Sequence, residues 1–97
     1  MLDKIKQFFE LKSKMSQLKK ELEVVKLEVA SSDGKIKVVI TGDQRIESLE
    51  IQDELFDVCN KDVLQRNLRN CINDAIKKSQ EEAAGRMKAL TAFDAPL

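Results

Sequence analysis

Apolar residues recur at helical spacing near both ends of the chain. Residues 1–24 carry a narrow apolar seam at steps of three and four, which is typical of a helix that packs against one neighbour. Residues 60–90 carry a wider stripe at i, i+3, i+4 and i+7 spacing, which predicts a second amphipathic helix. This stripe thins beyond residue 80, so we expect the second helix to have a core half and a projecting half. The seam of the first helix is formed by Phe8, Leu11, Met15, Leu18, Leu22, Val25 and Val29.

Residues 25–52 alternate between apolar and polar side chains, as in half-buried β-strands. Two glycine-containing turns, at 31–34 and 41–44, divide this segment into three strands. In the 31–34 turn, Gly34 can adopt the positive φ that a tight hairpin needs. The alternation slips once in the third strand, and a β-bulge near Glu47 and Ser48 would return its apolar residues to one face. We therefore predict a three-stranded antiparallel meander with one apolar face.

The whole chain, residues 1–97, is predicted to form a single α+β domain with the order α-β-β-β-α. The connector between sheet and second helix is expected to dock onto the core through Leu55, Phe56 and Val58. Residues 91–97 contain the one proline and are predicted to be a frayed tail. Two long helices around so small a sheet leave apolar surface that one chain cannot easily cover. We therefore expect a protein partner.

The composition excludes several kinds of catalytic site. The chain has no His, which is the usual general base near neutral pH and a common metal ligand. Cys59 and Cys71 form no CxxC pair and are interpreted as small buried residues. The carboxylate pairs 53–54 and 81–82 lack apolar neighbours that would raise a pKa. We expect no enzyme, no cofactor, no metal and no small-molecule substrate.

Charge is distributed unevenly although the formal net charge is zero. Residues 1–26 hold seven basic and four acidic side chains, and residues 58–97 hold seven and five. Residues 27–57 hold three basic and eight acidic side chains. A polyanion should therefore contact the helices rather than the sheet. No signal peptide and no apolar run of about 20 residues is found, so we expect a cytoplasmic protein without a membrane partner.

Basic side chains on the helices are the candidates for function, because contacts to phosphate need only a positive surface of sufficient reach. The chain lacks an aromatic platform for stacking bases and shows no helix-turn-helix spacing. These features favour binding to the backbone of duplex DNA. For any single basic residue, a solvated helix face is the more common explanation. The candidate DNA-binding residues are Lys4, Lys6, Lys12, Lys14, Lys78, Arg86 and Lys88.

Three segments together resemble the YbaB/EbfC family of bacterial nucleoid-associated proteins. They are Asp-Gly-Lys-Ile-Lys-Val-Val-Ile-Thr-Gly at 33–42, Ile-Glu-Ser-Leu-Glu-Ile at 46–51, and Ile-Asn-Asp-Ala-Ile-Lys-Lys at 72–78. The resemblance implies an intertwined homodimer with projecting helical arms that binds DNA. It also implies a place in the nucleoid and a role in nucleoid organisation or gene regulation. The individual DNA contacts are inferred from position and charge, because the family has no fixed contact motif.

An alternative function is that of a dimeric protein-binding chaperone, of the secretion or prefoldin-like type. Exposed Met15, Met87 and phenylalanine side chains could hold an apolar client segment. Chaperones of the secretion type tend to be acidic, whereas this chain is neutral overall. Suppression of a client's aggregation with no DNA shift would favour the chaperone.

Overall fold

The fold is described from a computed structural model that covers the backbone of residues 2–92 and the side chains of residues 2–90. The predicted α-β-β-β-α order is confirmed, and the sheet has the strand order β1-β2-β3 with both pairs antiparallel. Two short 3₁₀ segments, Asp53–Leu55 and Val58–Asn60, connect the sheet to the last helix. The main elements are α1 (Leu2–Val24), β1 (Lys26–Ala30), β2 (Ile36–Thr41), β3 (Ile46–Ile51) and α2 (Lys61–Ala92).

The ends of α2 differ slightly from the predicted range of 60–90. The helix begins one residue later and continues to Ala92. Two residues of the predicted frayed tail are therefore helical, and its remaining residues, 93–97, lie outside the described residues.

The predicted β-bulge in β3 is present at Glu47. Val39 of β2 lies opposite Ser48, whereas the next residue, Ile40, lies opposite Ile46, so Glu47 has no partner. Because cross-strand partners point to the same side of a sheet, the bulge returns the apolar residues of β3 to one face. These pairs are Ile46 with Ile40, Leu49 with Val38, and Ile51 with Ile36.

The core lies between this face of β2 and the first half of α2. Ile36, Val38 and Ile40 are fully buried against Cys71 and Ala75 of α2. The predicted burial of Cys71 is confirmed, and burial together with the nearby Asp74 charge raises the pKa of its thiol. Partly buried residues surround this centre: Leu27, Val29, Ile51, Leu55, Leu64, Leu68, Ile72 and Ile76.

The connector is docked less completely than the sequence predicted. Leu55 packs against the core, but Phe56 is 67% and Val58 is 92% exposed. The prediction that Cys59 is buried is also wrong, since its side chain is exposed. Local hydrogen bonds stabilise the backbone of the connector, including one from the Cys59 N–H to Asp57 Oδ1 at 3.0 Å. These bonds fix the backbone without requiring its side chains to face the core.

The β2–β3 turn fastens both helices to the sheet. The Gly42 N–H donates to the carbonyl oxygen of Leu22, in the last turn of α1, at 3.0 Å. The buried Ser79 hydroxyl of α2 donates to the Thr41 carbonyl at 2.8 Å. A Cβ atom on Gly42 would lie 2.8 Å from Leu22 Cδ2 and 3.0 Å from the Leu22 carbonyl oxygen. Gly42 is therefore needed for close approach, while Gln44 adopts the positive φ of this turn.

Beyond the sheet, α1 and α2 run antiparallel as an elongated pair. The molecule measures 67 × 23 × 16 Å, and its radius of gyration is 18.9 Å, against about 13 Å for a compact domain of this size. We define the arm as residues 2–22 of α1 and 80–92 of α2. Its apolar seam is covered at Leu18, which is 7% exposed, but not at Phe8, which is 63% exposed.

Candidate nucleic-acid interface

The arm is the positively charged part of the molecule. It holds eight Lys and Arg residues against five Asp and Glu residues, whereas residues 26–62 hold five basic and nine acidic residues. All the lysines of the arm except the half-buried Lys14 are exposed. The long axis of the protein therefore separates a basic arm from a weakly acidic remainder, since residues 23–79 as a whole hold nine basic and eleven acidic residues.

One face of α1 carries two lysines beside small polar side chains. Lys12 and Lys20 lie on this face at helical spacing, and both are exposed. Hydroxyl and amide groups between them supply neutral donors, which proteins commonly use together with lysine to contact phosphate. Lys20 was not among the predicted residues, although its spacing of eight from Lys12 places both on the same face. The shallow groove on this face is lined by Phe9, Lys12, Ser13, Ser16, Gln17 and Lys20.

Lys14 and Arg86 come together where α1 contacts α2. Both line a groove of about 270 Å³ that also includes Leu18 and Glu21. Arg86 Nε lies 2.9 Å from Glu82 Oε1, and an Arg86 terminal nitrogen lies 3.7 Å from Glu21 Oε2. Arg86 thus links the two helices, and two carboxylates already offset its charge.

The other predicted residues lie elsewhere on the surface. Lys4 and Lys6 are exposed near the start of α1, and Lys88 is exposed near the end of α2. Lys78 lies beside the sheet, where its Nζ donates to the Glu28 carbonyl oxygen at 3.2 Å. The seven predicted residues therefore do not form one cluster: six lie on the arm and Lys78 lies near β1.

A family comparison identifies the chain. The model of the YbaB/EbfC DNA-binding family matches residues 1–93. The chain belongs to this family. The family assignment made from the sequence is therefore confirmed.

Relatives of this YbaB/EbfC protein carry consistent names. A nucleoid-associated protein of Clostridium acetobutylicum is 30% identical over 87 residues, which cover 90% of this chain and 78% of that protein. A nucleoid-associated protein of Dictyoglomus turgidum is 29% identical over 87 residues, which cover 90% and 84% of the two chains.

A solved structure shares the fold of this YbaB/EbfC protein. The crystal structure of an uncharacterized protein from Helicobacter pylori matches with a TM-score of 0.74 and 23% identity. The match covers 87% of this chain and 98% of the other. At this identity the likeness concerns the fold alone.

The residues that the structure describes hold neither a metal-binding cluster nor a membrane-spanning helix. Within them, the YbaB/EbfC chain contains no group of three or more His, Cys, Asp or Glu side chains placed to hold a metal ion. In the same part of the chain, neither α1 nor α2 is long and apolar enough to cross a membrane.

Proposed function

We propose that this protein binds duplex DNA as a homodimer, mainly through phosphate contacts from its basic arms, and acts in nucleoid organisation or gene regulation. The observation that carries the proposal is the family match over residues 1–93. The separation of a basic arm from an acidic sheet region supports it, because a positive surface attracts the DNA backbone and an acidic one repels it.

The apolar face of β3 supports the homodimer. Ile46 and Leu49 lie opposite buried residues of β2, yet Leu49 is 44% exposed because α2 packs mainly against β1 and β2. A second copy seated on β3 would cover this face and offset the small core of a single chain.

Light scattering tests the homodimer. We expect a mass of twice the chain's 11.0 kDa at micromolar concentration. Leu49→Asp should shift the protein towards the monomer, because it places a charge in the contact. Val24→Asp is the matched control, since Val24 is an exposed apolar residue outside β3. A wild-type monomer would contradict this part of the proposal.

The Lys12–Lys20 face is the proposed phosphate-binding surface. Each lysine that contacts a phosphate contributes about 0.9 to the slope of log affinity against log salt. The double variant Lys12→Gln with Lys20→Gln should therefore bind more weakly and lose almost two units of slope. Lys37→Gln is the control, because Lys37 is an exposed lysine of β2. Gel shifts at several salt concentrations measure both quantities, and no binding at low salt would reject DNA binding.

The exposed apolar seam of α1 favours one other candidate function, a protein-binding chaperone. Phe8 and Met15 are both exposed on the arm and are the kinds of side chain that hold apolar segments. Suppression of client aggregation without a DNA shift would support this function instead. Phe8→Ser should then abolish the suppression.

A further inference from the structure

The start of α1 exposes an apolar surface flanked by positive charge. Phe8 and Phe9 pack edge to face with ring centroids 5.9 Å apart, so together they present one exposed aromatic surface. Lys4 and Lys6 lie within the same two turns and are exposed. We call residues 2–9 the tip. Its exposed apolar residues are Leu2, Ile5, Phe8 and Phe9.

The connector forms a second exposed apolar surface, at the other end of the molecule. Phe56 and Val58 are exposed there beside the half-buried Leu55 and Leu64. These side chains line an open groove of about 320 Å³ together with Asp57 and Lys61, and we call it the connector groove. Almost all of its surface is apolar, so water covering it would be released on docking of another apolar surface.

The two surfaces have opposite charge. The tip, residues 2–9, holds Lys4 and Lys6 against Asp3, a net charge of +1. Residues 50–62 hold five acidic side chains against Lys61, a net charge of −4. Lys35 offsets part of the latter, since its Nζ lies 3.6 Å from Glu54 Oε2. The charges favour the tip against the groove and disfavour the tip against a second tip.

The tip cannot reach the connector groove of its own chain. The groove lies at the start of α2, which has 32 residues and is therefore about 48 Å long. Lys14 and Leu90 line the same groove, and residues 2–9 precede Lys14 in α1, so the tip lies beyond the far end of that helix. The two surfaces are consequently near opposite ends of a molecule 67 Å long.

We propose that copies of this chain associate end to end, with the tip of one copy docked in the connector groove of the next. A contact between two different surfaces does not close on itself unless its rotation forms a ring, so it produces an open chain of copies. The proposal goes beyond DNA binding and does not require it. It also leaves the β3 face free for the proposed homodimer.

Sedimentation velocity over a range of concentrations, at low salt and without DNA, tests the association. Species larger than a dimer should appear as concentration rises and should decrease at high salt. Both the double variant Phe8→Ser with Phe9→Ser and the single variant Val58→Asp should lose these species. All three side chains are exposed, so the fold should be retained. Val24→Asp controls for a charge placed on exposed apolar surface elsewhere.

The outcomes separate this proposal from the homodimer. Retention of a dimer in both variants, with loss of larger species, supports end-to-end association. A wild-type protein that never exceeds a dimer overturns it, as does a Val58→Asp variant that becomes a monomer, because the groove would then belong to the dimer contact. If Leu49→Asp alone removes the dimer, the two contacts are distinct.

Thiol cross-linking tests which surfaces meet. Cys59 is exposed beside Val58, and Cys71 is buried. A chain carrying both Gln7→Cys and Cys59→Ser is mixed with the wild-type chain and a short bis-maleimide. Mass spectrometry should find the introduced thiol joined to wild-type Cys59. Absence of this cross-link at concentrations where large species form would overturn the proposal.

Single charge substitutions on the two surfaces provide matched variants. Asp53→Lys should reduce the larger species, because it removes negative charge beside the groove. Lys6→Glu should also reduce them, because it replaces a positive charge of the tip by a negative one. Larger species that persist unchanged in both variants, with the fold intact, would contradict the proposed pairing.

Discussion

The two halves of α2 pack against different parts of the molecule, although they belong to one helix. Cys71, Ala75 and Ser79 are buried where α2 crosses the sheet, whereas further along the helix Arg86 pairs with Glu21 of α1. The apolar stripe is wide in the first half and thin in the second. The comparison shows that the width of a helical stripe follows the size of the surface that covers it. For the proposed contact with DNA, the arm needs length and positive charge, and a narrow apolar seam between α1 and α2 is compatible with both.

The largest expected effect is the difference in stability loss between a substitution in the core of the sheet region and one on the arm. Ile40→Ala should lower the free energy of unfolding by about 2–5 kcal/mol, because Ile40 is fully buried and a cavity would remain. Leu11→Ala, on the exposed part of the arm seam, should cost less than about 1 kcal/mol. Urea denaturation measures both. Equal losses would mean that another surface covers the arm.

The next effect concerns the turn that joins the two regions. Gly42→Ala should cost about 1–3 kcal/mol, because its Cβ would press on the backbone of Leu22 and force α1 to shift. Gly85→Ala is the matched control on the arm, where a Cβ meets no atom within 4 Å. That change should stabilise the helix by up to about 1 kcal/mol. Thermal unfolding should give opposite signs for the two variants.

Arg86→Gln sharpens the role of the arm contact. Its ion pairs are partly exposed, so we expect a loss of less than about 1 kcal/mol in stability. DNA affinity should fall as well, since the charges of Glu21 and Glu82 are no longer offset. If Arg86 itself contacts a phosphate, the salt slope should also decrease by about 0.9. Glu21→Gln should raise DNA affinity. Gel shifts at several salt concentrations measure the affinities and the salt slope, and urea denaturation measures the stability.

The smallest expected effect lies in the turn between β1 and β2. The Ser31 hydroxyl donates to Asp33 Oδ1 at 2.6 Å, and this bond, with a further bond from the Lys35 N–H, holds the pKa of Asp33 below its ordinary value of 3.8. The carboxylate therefore contributes stability above pH 3.8 that is lost as the pH falls through the lowered pKa. Asp33→Asn should remove this part of the acid dependence, measured by denaturation between neutral and acidic pH. An unchanged acid profile would contradict it.

The sequence was sufficient to predict the elements in which apolar residues recur with a regular period. Helical spacing and strand alternation predicted both helices and all three strands, and a single slip in alternation predicted a bulge near Glu47 and Ser48, which the structure has at Glu47. Such a period indicates which face of an element is buried. It can be recognised in the sequence of that element alone, without knowledge of its neighbours. The connector has no period, so the exposure of Phe56 and Val58 could not be predicted.

The predicted binding residues depended on information that one element does not contain. The pairing of Arg86 with Glu21 requires knowing which turns of α1 and α2 lie side by side. The same holds for Lys78, whose spacing in α2 does not reveal the β1 carbonyl beside it. Lys20 differs, because its helical phase relative to Lys12 was available from the sequence.

Both helices are hydrogen-bonded to the β2–β3 turn, which therefore forms a pivot for the arm. The bond from the Gly42 N–H to the Leu22 carbonyl and the bond from the Ser79 hydroxyl to the Thr41 carbonyl hold the base of the arm to this turn. Residues 2–22 extend about 30 Å from that point as helix. A rotation of about 10° at the base would therefore displace the far end by about 5 Å, by lever geometry applied to that length. Small adjustments at these two hydrogen bonds would therefore move the far end of the arm.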